Sequence, residues 1–146
     1  MKLLLLLFTS LWLNTGNGWL TSFDEAKQLS KEKNIPILLN FSGSDWCGPC
    51  IRMKKEIFES ATFMDFAANR LILLNADFPR RKKNQLSGVQ LKHNEALAEK
   101  YNPLGKFPLT LLLDAEGKLL KEWDGYPEGS AGEFVQQINK IDHGGK

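Results

Sequence analysis

The chain has 146 residues, 42% hydrophobic and 25% charged, with a formal net charge of +2. That length suits one domain that buries its own core without staples. The near-balanced charge gives no global signal for nucleic acid or for a membrane surface.

In chain order, Lys2 precedes the apolar run 3–13, LLLLLFTSLWL. A membrane span needs roughly 20 apolar residues, whereas the core of an export signal needs about 7–15. NTGNG follows, with Gly16 and Gly18 at −3 and −1 of a cut before Trp19. Residues 1–18 are therefore expected to be a cleaved signal peptide, and 19–146 the mature domain. No cysteine follows the run, so no lipid anchor is expected. The protein is expected outside the cytosol, in the periplasm if bacterial and otherwise secreted. Cysteines there tend to be oxidised.

Thr21 and Ser22 can cap a helix over FDEAKQLSKEK, with Asp24 and Glu25 in its first turn and Phe23, Ala26 and Leu29 on one face. The short apolar run 35–41 reads as a strand buried on both sides. A Gly-Ser-Asp-Trp turn leads to Cys47, and a helix follows through residues 50–60. Ser60 can cap another helix, with Phe63, Phe66 and Ala67 inward. Residues 70–77 read as a second buried strand, 78–90 as a polar loop, and 94–101 as a helix ending before Pro103. Residues 107–125 read as a β-hairpin around the Asp114–Gly117 turn, and 130–141 as an amphipathic closing helix before a loose tail. The order α-β-α-α-β-α-β-β-α implies parallel strands followed by an antiparallel pair.

The only two cysteines, Cys47 and Cys50, lie three positions apart in SDWCGPCIRM. On a helix, i and i+3 are neighbours close enough for a disulfide. Cys47 opens the helix, where free N–H groups favour a thiolate. Cys50 lies one turn further in. Pro49 gives up an N–H that the first helical turn does not need, and Gly48 leaves room for a partner's backbone. An inert staple would stabilise little, because the loop it closes is tiny. Zinc needs about four ligands, and beyond this pair only His93 and His143 are on offer, at no telling spacing. No metal and no cofactor are expected.

WCGPC after a buried strand and at the head of a helix resembles the active site of the thioredoxin family. KFPLTLLLD resembles the family's loop with a cis-proline, here Pro108, and EWDG the end of its last strand, with Gly125 near the active-site surface. The resemblance spans about residues 20–141. It implies an α/β thioredoxin fold: a central mixed sheet flanked by helices, with a C-terminal β-hairpin and closing helix. It implies a thiol–disulfide oxidoreductase in which Cys47 is the nucleophile and Cys50 resolves the mixed disulfide. Trp46, Gly48, Pro49, Phe107 and Pro108 are then active-site support. Gly-Pro between the cysteines resembles reducing members, so the expected partners are exported proteins with disulfides and a membrane-embedded electron donor, with no nucleic acid. An oxidase or isomerase on the same site, or a non-enzymatic binding module, are the alternatives.

Two features depart from the family. Its buried aspartate beneath the cysteines is matched here by Asn40, which cannot accept a proton; Asp45 and Glu56 are the nearest carboxylates in sequence. The helix after the cysteines lacks the family's kinking proline, so IRMKKEIF is expected to run straight. This pattern is more like small exported thioredoxin-like proteins and the C-terminal domains of periplasmic disulfide-interchange proteins. The basic run RRKK, 80–83, reads as a solvated loop, with steering of acidic partner proteins as the alternative.

Overall fold

The computed structural model describes residues 18–143. The expected signal segment lies outside the described residues, apart from Gly18. The elements are α1 (Phe23–Lys33), β1 (Ile37–Ser42), α2 (Gly48–Met53), α3 (Ala61–Arg70), β2 (Ile72–Asp77), α4 (Gly88–Tyr101), β3 (Leu109–Leu113), β4 (Leu119–Asp124) and α5 (Ala131–His143). A π-helical turn, Lys54–Phe58, follows α2, and a 3₁₀ turn, Lys82–Asn84, precedes α4.

The sheet order is β2-β1-β3-β4. β1 runs parallel to β2 and antiparallel to β3, and β3 is antiparallel to β4. Leu20 adds a single parallel bridge to Leu74, so the chain after Trp19 is already tied to the sheet. Side chains alternate between two cores, as period-two strands require. Leu38, Leu73 and Leu112 face Met53, Phe58, Phe63 and Phe134 on the side of α2, α3 and α5. Ile37, Leu39, Phe41, Leu74 and Leu111 face Ala26 and Leu97 on the side of α1 and α4. Each such buried aliphatic or aromatic side chain stabilises the fold by about 1.5–3 kcal/mol.

The expected element order and thioredoxin fold are present, with three corrections. The helix after the cysteines does not run straight: the π turn makes Glu59 donate to the Lys54 carbonyl five residues back. It lets adjacent Ile57 and Phe58 both bury behind Met53, a spacing that a regular α-helix would splay. α4 starts at residue 88, not 94, because Ser87 accepts from the Gln90 amide as an N-cap; Gly88 sits in the first turn rather than breaking it. Residue 70 ends α3 instead of opening β2.

Candidate active site

The carboxyl ends of the parallel strands β1 and β2 meet the start of β3 at one edge of the sheet, because Phe41 pairs with Leu109 and Ser42 with Asp77. The loops beyond these ends carry the functional residues, the usual place for a site in such a sheet. Cys47 is the N-cap of α2, and its Sγ accepts from the Cys50 amide at 3.3 Å. The Ile51 amide donates to the Cys47 carbonyl. Cys47 and Cys50 form a disulfide with Cα atoms 5.2 Å apart. Each is 5% exposed, so Cys50 is no more enclosed than Cys47. Gly48 and Pro49 are exposed, and a Cβ on Gly48 would meet nothing within 4 Å.

Trp46 lies over Gly43, where a Cβ would come within 2.6 Å of Cζ2, so only glycine leaves the ring its place. Its Nε1 donates to the Phe78 carbonyl at 2.7 Å, and its ring packs edge-on to Phe107 with centroids 5.4 Å apart. Phe107 in turn meets Phe78, and these aromatic rings flank the disulfide loop. The Phe107–Pro108 peptide is cis, as expected, and the Pro108 carbonyl accepts from the Gly125 amide at 2.9 Å. The structure thus brings Trp46, Phe107, Pro108 and Gly125 to the same edge as the cysteines.

Asn40 is buried on the sheet face that carries Leu38. Its Nδ2 donates to Asn75 Oδ1 at 3.1 Å, and its Oδ1 accepts from the Thr110 hydroxyl at 3.2 Å. Thr110 also lies 4.0 Å from Met53 Sδ on α2. This polar row crosses the sheet beneath the helix of the disulfide. Neither sequence-neighbouring carboxylate joins it. Glu56 accepts from Tyr126 and pairs with Arg52, and its hydrogen bond holds the Tyr126 hydroxyl's pKa up. Asp45 reaches the opposite way, to loop 80–84. It accepts from the amides of Arg80 and Arg81 and from Asn84 Nδ2, at 2.9, 3.0 and 2.9 Å. The Arg80 amide, then Asn84, holds its pKa below the ordinary carboxylate value. His93 accepts from the Phe23 amide and braces α1 against α4. Among the described residues no cluster of ligands could hold a metal.

Sequence reasoning missed Asn75, Thr110, Gly43, Ser44 and Asp77. Ser44 donates through its amide and hydroxyl to the Asp77 carboxylate at 2.9 and 2.5 Å, tying the disulfide loop to the end of β2. The polar ends of two strands that read as apolar, LLN and LLNAD, were the available signal.

A disulfide-bonded cysteine pair at a helix start, above a four-stranded mixed sheet and at the same edge as a cis-proline, defines a thioredoxin-fold thiol–disulfide oxidoreductase. The thioredoxin-like family model matches residues 18–115, and the chain belongs to that family. A Chlamydia pneumoniae protein named disulfide bond reductase DsbH is 38% identical over 117 residues, 80% of this chain and 68% of that protein. Thioredoxin-related protein DsbJ of the same organism is 33% identical over 98 residues, 67% of this chain but 27% of DsbJ. A solved DsbH oxidoreductase structure matches with a TM-score of 0.77 at 35% identity, covering 85% of this chain and 83% of that one. The oxidised C-terminal domain of Neisseria meningitidis DsbD, at 17% identity, shares the fold with a TM-score of 0.56, over 81% of this chain and 90% of that domain.

Proposed function

We propose that the protein reduces disulfides in exported proteins by cycling Cys47 and Cys50 between dithiol and disulfide. The observation that carries the assignment of roles is the Cys50 amide aimed at Cys47 Sγ from the first turn of α2. A thiolate at Cys47 gains that hydrogen bond and the positive end of the helix. In the reduced protein the Cys47 thiolate attacks one sulfur of a substrate disulfide, forming a mixed disulfide and expelling the other sulfur as a thiolate. Cys50 then loses its proton and attacks Cys47 Sγ, releasing the second substrate thiolate and closing the Cys47–Cys50 bond. Two electrons pass to the substrate, whose two thiolates take protons from water. Trp46 and Phe107 supply an apolar rim, Gly48 and Pro49 an open approach, and the Phe107 backbone before cis-Pro108 the edge along which an extended substrate lies.

The 38% identity to a protein named a disulfide bond reductase favours the reducing direction. The apolar run 3–13 favours export. A reductant outside the cytosol needs its dithiol regenerated, and a membrane-embedded electron donor fills that role.

The test combines insulin-disulfide reduction with the reduction potential. The wild-type protein is expected to reduce insulin, with a potential near the roughly −270 mV of thioredoxin rather than the roughly −120 mV of a strong oxidant. Cys47→Ser abolishes reduction, and Cys50→Ser accumulates a mixed disulfide on Cys47. Preferential alkylation of Cys50 in the reduced protein overturns the roles, and a potential near −120 mV overturns the direction.

A further inference from the structure

The basic run 80–83 is not a free-swinging loop. Each residue of the Ser44-Asp45-Trp46 stretch grips the segment 77–84, as the site geometry above shows: Ser44 holds Asp77, Asp45 holds the amides of Arg80 and Arg81, and Trp46 holds the Phe78 carbonyl. The Arg80 guanidinium also stacks on the Trp46 ring, 3.6 Å from a ring centroid. Anchoring falls on backbone amides and on one guanidinium face, so the charged ends are left outward. Arg80, Arg81, Lys82 and Lys83 are all exposed, and among the described residues none of them enters a salt bridge. Asp45 offsets only part of their charge. Four adjacent cations thus sit on a loop fastened to Asp45 and Trp46, the two residues before Cys47, in a chain whose net charge is only +2.

Like charges held together at a fixed, exposed place raise the local positive potential, which attracts a visiting counter-charge. The visitor must also carry a sulfur to Cys47 and lie along the apolar rings of Trp46, Phe78 and Phe107. A polypeptide disulfide meets both demands; a nucleic acid brings no disulfide.

We propose that Arg80 to Lys83 form a docking edge for acidic segments, selecting polypeptide disulfides flanked by Asp or Glu. The proposal rests on the exchange reading above and adds substrate selection to it. Carboxylates next to the attacked cysteine meet the cations as its sulfur reaches Cys47, and the gain falls mainly on the association rate.

The test uses two synthetic peptides with the same intramolecular disulfide, one with glutamates flanking a cysteine and one with glutamines there. The full-length protein is reduced with dithiothreitol and desalted, and second-order rate constants are measured from about 20 to about 300 mM salt. The wild-type protein is expected to react about tenfold faster with the acidic peptide at low salt, the ratio falling toward one at high salt. In the Arg81→Gln/Lys82→Gln/Lys83→Gln variant the low-salt ratio falls to about twofold or less. If that variant does not fold, the single Lys83→Glu variant must lower the ratio. Lys31→Gln, on α1, keeps the wild-type ratio. Equal wild-type rates on the two peptides, or an unchanged ratio in the triple variant, overturn the docking edge while leaving exchange intact. Reduction of neither peptide overturns the exchange reading and the docking edge with it.

Discussion

Two aspartates at opposite ends of the sheet do the same local chemistry with different reach. Asp114 closes the β3–β4 turn: its Oδ1 accepts from the amides of Glu116 and Lys118, at 3.0 and 2.8 Å, within four residues. Gly117, at φ 85°, completes the turn, and its carbonyl accepts from the Tyr101 hydroxyl. Asp45 also gathers backbone amides, but those of residues 35 and 36 positions away. The first carboxylate organises its own turn. The second fastens one loop to another, and that second loop then borders the disulfide. A carboxylate acting locally stabilises a connection, whereas one acting at long range positions a site.

The largest contrast is expected from removing each carboxylate in turn. Asp45→Ala frees Arg80–Lys83 from their amide anchor, and native-state trypsin cleavage there should rise by about tenfold or more, because cleavage follows local opening. Asp114→Ala should leave cleavage at 80–83 unchanged and lower global stability by about 1–2 kcal/mol through the lost turn hydrogen bonds. Peptide mapping of the tryptic products and a denaturant titration of each variant check both halves. Equal cleavage at 80–83 in the two variants would erase the distinction.

The same difference in reach explains what was legible in the sequence. DAEG between two apolar runs announces its turn, since the residues that satisfy Asp114 lie beside it. WCGPC announces the cysteine pair for the same reason: N-cap, proline and partner cysteine sit within one turn. The strands and the cis-proline loop followed from apolar runs and resemblance. Nothing near Asp45 indicates that its partners begin at Arg80, so the run 80–83 read as a solvated loop, with steering of acidic partners as the alternative, and Asp45 only as one of the carboxylates nearest the cysteines in sequence. The π turn was equally hidden, because its cause is tertiary: Ile57 and Phe58 must both reach the core. Ser87 could have marked the start of α4 through Ser-x-x-Gln, but the glycine that follows it reads more readily as a breaker.

A smaller effect is expected beneath the helix, where Asn40 stands in place of a carboxylate. Its amide nitrogen donates to Asn75 and its oxygen accepts from Thr110. Asn40→Asp keeps the Thr110 hydroxyl as donor, and a flip of the Asn75 amide can supply a second. Burying a carboxylate there should still cost about 1–3 kcal/mol and raise its pKa. A base on this face of the sheet should speed proton loss from Cys50. Breakdown of the mixed disulfide is therefore expected to quicken severalfold, measured by quenched-flow from about pH 6 to pH 9. An unchanged rate at every pH would separate residue 40 from Cys50 chemistry. Asp45 could not then take its place, being committed to the other loop.

The smallest effect is a titration that reads the loop contact itself. The Arg80 amide, followed by the Asn84 side chain, lowers the pKa of Asp45 in the folded protein below the ordinary carboxylate value of 3.8. A depressed folded pKa means that the contact's contribution is complete above the unfolded carboxylate value and is lost as pH falls through the folded one. Loop 80–84 should therefore stay docked from neutral pH into mild acid and loosen only below about pH 4. NMR shifts of the Arg80 and Arg81 amides, followed from about pH 6 to about pH 2, should show one shared transition with its midpoint below 3.8. Glu133 provides the control within the same molecule: its pKa is also lowered, first by the Ser130 amide at the start of α5. Asp45→Asn should remove the transition at Arg80 and Arg81 and leave that at Ser130 in place. Persistence of the Arg80 transition in Asp45→Asn would mean that another acid holds the loop, and the long-range role given to Asp45 would fall.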